Sequence, residues 1–185
     1  MTSAMHPRWA AGVLAFWFVE CTPAQWFKRD DAFDAALRAR FLDLHAAVAA
    51  APFEACVADA DTALAATIVL DQFSRNMFRG TPAAFASDAR ALAVAEAAVR
   101  RGFDRNLPDE RRQFFYLPFE HAEDAAVQAR SVALFASLGP EALRWAEAHK
   151  VIIDRFGRFP HRNAALGRVS TPEEIAFLRE PNSSF

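Results

Sequence analysis

From Trp9 to the last residues, apolar side chains recur at intervals of three and four, and strict alternation of apolar with polar residues is never sustained beyond a few positions. A 3.6-residue period buries one face of a helix, whereas a half-buried strand needs a period of two, so the pattern restricts the chain to an all-α fold. Gly80, Gly102, Gly139 and Gly157, with prolines at 23, 52, 82, 108, 140, 160 and 172, punctuate the periodic runs. They predict about seven helices in hairpin order.

The boundaries follow from breakers and caps. His6-Pro7 opens the first helix, with proline at the position where a missing N–H costs least. A second runs from about Asp31 to Pro52 on a stripe of Phe33, Leu37, Phe41, Leu44 and Val48. A third contains Ala63 to Leu70 and continues to Gly80. Thr81-Pro82 caps a fourth that ends at Arg101 before Gly102. Pro108, Asp109 and Glu110 start a fifth, which the stripe Phe114, Leu117, His121, Asp124, Gln128, Val132 and Phe135 carries through Pro118 with a kink. A sixth lies between Gly139-Pro140 and Gly157. Thr171-Pro172-Glu173-Glu174 is a capping box for the last, to about Glu180.

At 185 residues, 53% of them hydrophobic, the chain is long enough to bury a real core, and with no linker or repeat in sight residues 1–185 read as a single helical domain. Eighteen Phe and four Trp against one Tyr make that core heavily aromatic. A net charge of −2 and a pI near 6.2 provide no field for nucleic acid or an anionic membrane, so neither is a partner. The apolar run Trp9 to Val19 is too short to span a bilayer and reads as a packed helix. Cys21 and Cys56 have no metal-type spacing and make no disulfide scaffold, which fits a reduced, cytoplasmic setting.

What departs from a plain helical core is polarity on the buried stripes. Leu64, Ile68, Asp71, Arg75 and Phe78 share a face, with Asp71 and Arg75 spaced i, i+4 for pairing. Asp88 falls on the stripe of Phe85, Leu92, Ala95 and Val99. His121 and Asp124 interrupt the fifth stripe beside Glu120, and His149 sits within Trp145, Ile152, Ile153 and Phe156. The connection RFGRFPHRN adds Arg158, His161, Arg162 and Asn163. Unpaired, such groups would cost several kcal/mol each to bury, so they need partners in the chain or in a ligand.

These same stretches carry a resemblance. Phe16-Trp17-Phe18, Trp26-Phe27, LDQFSRNMFRGT from Leu70, Phe85-Ala86-Ser87-Asp88, LPFEHAED from Leu117 and RFGRFPHRNAALGR from Arg155 together resemble the bacterial family of unknown function DUF924 over nearly the whole chain. The resemblance implies a tetratricopeptide-repeat-like α-α superhelix and a candidate pocket, and no activity. Two positions depart from the family pattern. Ser74 replaces the usual proline, and Ala122 stands where a serine commonly follows the histidine, which excludes a serine nucleophile there.

Three readings of the polar groups stand side by side. They form an internal network that fixes helix order. Alternatively they line a cleft for a small anionic metabolite, bound by Asp71, Gln72, Arg75, Asn76, Arg79, Arg158, His161, Arg162 and Asn163, with His121, Asp124, Glu120 and His149 moving protons. In the third, the chain is a tetratricopeptide-like module for a protein or peptide, which asks for exposed Asn76, Arg79 and Arg162. His121 and Asp124 with His149 and Asp71 are a weak metal pattern, since neither HExxH nor paired ExxH occurs, and no metal or cofactor is assigned. Phosphate loops and Gly-x-Ser-x-Gly elbows are missing from the sequence.

Overall fold

The computed structural model describes residues 8–181, 183 and 184, so the expected helix start at His6-Pro7 lies outside the described residues. Every regular element among them is helical. Joining each π-helical turn to the α-helices it continues, there are ten helices rather than about seven. Two of the additions, Pro23–Phe27 and Phe53–Cys56, are single turns too short to display a period. The third arises because the helix expected from Asp109 to Phe135 is two helices, Asp109–Glu120 and Ala125–Phe135.

The described chain forms two compact units, one running through Arg79 and adding Ala83–Pro118, the other Gly80–Pro82 with the chain from Phe119 onward. In the first, Trp9–Ala15 continues as a π-turn, Phe16–Glu20, that buries Trp17 completely. The Trp17 ring stacks on Trp26 and meets Phe73 and Phe114 at centroid distances of 5.4 and 5.7 Å, while its carbonyl accepts from Trp26 Nε1 at 2.9 Å. Each buried aromatic contributes about 1.5–3 kcal/mol through the area it removes from water, so the Phe and Trp surplus is the cohesion of this unit.

Asp30 caps the long helix Asp31–Ala50 by accepting from the Ala32 and Phe33 N–H groups. Its buried face is Asp34, Leu37, Phe41, His45 and Val48, one residue off the expected stripe at two positions. Ala60–Ile68, the π-turn Val69–Phe73 and Ser74–Met77 form one unbroken run capped by Asp59. Thr81-Pro82 does not cap the next helix. Pro82–Ala84 is a separate 3-10 turn, and the helix starts later, at Asp88, ending at Arg101 against a left-handed Gly102. Asp88 therefore lies in a first turn, where a carboxylate is favoured by the helix dipole.

In the second unit, Ala125–Phe135 packs against Pro140–Phe156 across the 3-10 turn Ala136–Leu138. Gly157 closes the long helix at a φ of 69°, and Pro160 keeps Phe159 extended and starts the 3-10 turn Pro160–Arg162. The expected capping box is present: Thr171 accepts from the Glu174 N–H, and Glu174 reaches back to the Thr171 N–H at the head of Pro172–Phe177. Ile152, Ile153, Phe159 and Phe177 form its apolar core, with Phe156 packed against them.

Both cysteines are free and buried, and burial, with Glu20 adding to it, pushes the Cys21 thiol up to about 11. Among the described residues no helix is long and apolar enough to cross a membrane.

Candidate functional site

The polar residues of the first unit come from the π-turn and the helix after it. Every residue from Ala63 to Ser74 is buried, so the helix is enclosed on all sides there and the adjacent Asp71 and Gln72 are both inside. Arg75 Nη1 lies 2.9 Å from Asp71 Oδ1, and the same guanidinium grips Asp88 with two bonds of 2.9 and 3.0 Å. Burial opposes the Arg75 charge, but Asp71 and Asp88 outweigh it and hold the guanidinium above its ordinary range. Gln72 donates to Asp71 at 2.6 Å.

A second carboxylate in this unit, Asp34, accepts from Asn76 at 2.7 Å and from the Arg79 fork at 2.7 and 3.1 Å. Beside these, Ser74 donates to the Leu70 carbonyl at 2.8 Å, and its oxygen lies 2.6 Å from His45 Nε2. Burial pushes the His45 imidazole below its ordinary value. The i, i+4 pairing of Asp71 with Arg75 is as expected. Asp34 and His45 went unnamed in the sequence reading because the stripe was set on Phe33 and Leu44 instead.

The second unit gathers Glu120, His121, Asp124, His149, Arg158, His161, Arg162 and Asn163. Helix Asp109–Glu120 does not kink at Pro118 and run on; it stops two residues later. Its freed carbonyls go to Gln128, whose Nε2 donates to Glu120 O at 2.7 Å, Ala122 O at 2.8 Å and Phe119 O at 3.5 Å. Asp124 is consequently not on a core stripe. It is the N-cap of Ala125–Phe135, its Oδ1 accepting from the Ala126 and Val127 N–H groups at 2.8 and 2.9 Å.

At that helix end, Glu120 is 2% exposed and His149 6% exposed. His149 Nδ1 is 3.0 Å from Glu120 Oε1 and 2.9 Å from the Trp145 carbonyl. The Trp145 carbonyl can only accept, so Nδ1 carries a proton toward it, and Glu120 Oε1, which takes no hydrogen bond, lies at ion-pair distance from the same nitrogen. The His149 ring is 6.1 Å from that of the half-buried His121 and 5.7 Å, edge on, from Phe159. Phe159 also touches His161 at 5.6 Å and lies under the Arg162 guanidinium at 4.5 Å. Arg162 donates to the His121 carbonyl at 3.0 Å.

The remaining arginine is matched elsewhere. Arg158 binds Glu174 through bonds of 2.6 and 2.8 Å, and Asn163 donates to Ser170 at 3.0 Å and to Glu174 at 3.3 Å. The Arg158 fork, set against desolvation and aided by the Thr171 N–H, holds Glu174 down to about 2. Glu123 and Arg168, which the sequence reading also left out, form a two-point ion pair at 2.6 and 2.9 Å. Both sit inside stretches quoted for the family resemblance, and that was the signal available. Among the described residues no group of three His, Cys, Asp or Glu is placed to hold a metal ion.

The sequence over residues 13–182 matches the family described as bacterial protein of unknown function (DUF924). A solved protein of unknown function, ATU0120 from Agrobacterium tumefaciens, is similar at 45% identity and a TM-score of 0.87, over 92% of this chain and 96% of that one. Comparison with curated proteins returns no match.

Proposed function

For a chain that belongs to the DUF924 family of bacterial proteins, we propose a function in binding a small anionic metabolite at the Glu120–His149 cluster and exchanging a proton with it. The observation that carries this reading is a buried carboxylate given an imidazole as its partner, 3.0 Å away. Asp34, Asp71, Asp88, Glu123 and Glu174 each face a guanidinium instead. A guanidinium neutralises a carboxylate permanently, whereas an imidazole can take up and release a proton near neutral pH. An imidazole whose Nδ1 is held by the Trp145 carbonyl, with a carboxylate 3.0 Å away to answer a positive charge on the ring, is the arrangement a general base needs.

In this reading the half-buried His121 and His161 meet the ligand, and Arg162 provides positive charge behind them. His149 moves the proton and Glu120 stabilises the ring when it is charged. Asp124 contributes by capping the helix that follows. Arg75, Arg79 and Arg158 we assign to the internal network, since carboxylates of the chain occupy their forks. An interaction module would need Asn76, Arg79 and Arg162 exposed; Arg79 is exposed, but Asn76 and Arg162, at 6% and 5%, are not, so a tetratricopeptide-like docking role ranks second. A cytoplasmic setting with reduced thiols accords with either.

A thermal-shift screen of carboxylate- and phosphate-bearing metabolites tests the reading, because a ligand at a hundred times its Kd adds about 2.7 kcal/mol. A hit should stabilise the wild type and lose its effect in both His149→Gln and Arg162→Gln. Hits that stabilise both variants as well as the wild type would place the ligand elsewhere.

A further inference from the structure

We propose that Glu123 and Arg168 form a positioning clamp on the backbone of Phe159, and that through this residue they set the places of His149, His161 and Arg162; the inference rests on reading that cluster as the site. Phe159 is extended, at φ −89° and ψ 108°, and precedes Pro160. The residue is fully buried; its C=O accepts from the Arg162 N–H at 3.1 Å as the turn begins, whereas its N–H lies outside any helix and needs a side-chain partner. Glu123 Oε1 accepts from the Phe159 N–H at 2.8 Å. Arg168 Nη2 donates to the Phe159 carbonyl at 3.1 Å and to the same Glu123 oxygen at 2.9 Å.

One residue is therefore held at both of its peptide groups by two side chains that are themselves ion-paired. Arg168 Nε continues to Asn163 Oδ1 at 2.9 Å, tying the clamp to the turn that follows Arg162. The ring presented by this backbone is the one that His149, His161 and Arg162 all contact. A displacement of Phe159 moves all three, and it moves Arg162 against the His121 carbonyl as well. The roles of the two clamp residues are not interchangeable. The N–H of Phe159 requires an acceptor at position 123, and an arginine there cannot supply one.

The experiment uses the full chain without ligand, following amide exchange at Phe159 and the imidazole NMR signals. In Glu123→Leu, which leaves the Phe159 N–H no acceptor at 123, Phe159 exchange should rise about tenfold or more, with the His121, His149 and His161 signals displaced and the His45 signal of the other unit unmoved. The charge swap, Glu123→Arg with Arg168→Glu, should recover stability by restoring the ion pair while the histidine signals stay displaced. Should Glu123→Leu not fold, Arg168→Lys, which keeps the charge and loses the fork, takes its place with the same expected displacement. Unmoved signals in the single variants, or wild-type signals in the swap, would overturn the clamp and leave a plain ion pair. Loss of ligand response with the clamp signals intact would instead count against the proposed function alone.

Discussion

Glu120→Gln separates a carboxylate kept for chemistry from one kept for structure. The side chain is 2% exposed, and glutamine reproduces its shape beside His149 Nδ1 without its charge. Glu120 Oε1 takes no hydrogen bond, so what the substitution gives up is its charge beside the ring, about 1 kcal/mol. Relief of the desolvation penalty of a buried ion, several kcal/mol at its largest, works the other way, and the new amide N–H₂ takes back about 1–3 if it finds no acceptor. Crucially, the partner left behind is an imidazole, which can discharge by giving up its proton. The net change should be within about 1.5 kcal/mol, or less than about 6 °C in Tm for a domain of this size. Asp71→Asn is the comparison at a guanidinium: Arg75 cannot discharge but keeps both bonds to Asp88, so it should cost about 1–3 kcal/mol. Urea unfolding at pH 7 reads both. A loss above about 3 kcal/mol for Glu120→Gln would show that the carboxylate holds the fold and would refute the argument for a proton-handling role.

Three further outcomes follow from the geometry. Gln128→Leu takes the side-chain donor from the carbonyls of Glu120 and Ala122, while Phe119 keeps the Ala122 N–H, and should cost about 1–3 kcal/mol in urea unfolding, whereas no measurable loss would mean other groups cap that helix end. Asp124→Ala should cost about 0.5–2 kcal/mol as a lost N-cap and Asp124→Asn much less; equal losses would contradict capping as its role. Glu174, held at about 2 against an ordinary 4.5, binds its proton less readily folded than unfolded, so the stability it contributes is complete above pH 4.5 and is lost as pH falls through that window toward 2. Stability measured from pH 6 downward should therefore slope less in Glu174→Gln than in the wild type, and an unchanged slope would contradict the pairing with Arg158.

The helical architecture is legible because each long helix buries one stripe, and a stripe is a property of neighbouring residues. Its errors have the same origin. Pro23–Phe27 and Phe53–Cys56 are shorter than two turns, so no period exists to be read. The break at residues 121–124 was hidden because Phe114, Leu117, His121, Asp124, Gln128, Val132 and Phe135 stay in helical phase across it by spacing alone. The chemistry at the break was nevertheless written there: a proline two residues before the end, and an Asp ahead of Ala-Ala-Val-Gln that serves as a cap.

The candidate site was legible as a list of charges on buried faces, and such a list is silent on pairing, since Asp34 and Arg79 are 45 residues apart and Glu123 and Arg168 equally so. Pairing is nonetheless what decides between network and site. Had Arg75, Arg79 and Arg158 pointed their forks at a common space, an anion would have been the natural occupant. With Asp88, Asp34 and Glu174 filling those forks, their charge is already answered, and arginine count ceases to be an argument for a ligand. The weight moves to the pair whose charge state is adjustable, Glu120 with His149, and to the backbone clamp that holds Phe159 against it. A chain built for stability alone gains little from a buried carboxylate beside a titratable ring, because a hydrophobic pair of similar volume is as stable or more so. Retaining that pair at a helix end already weakened by Pro118 is a cost that proton exchange would explain and packing would not.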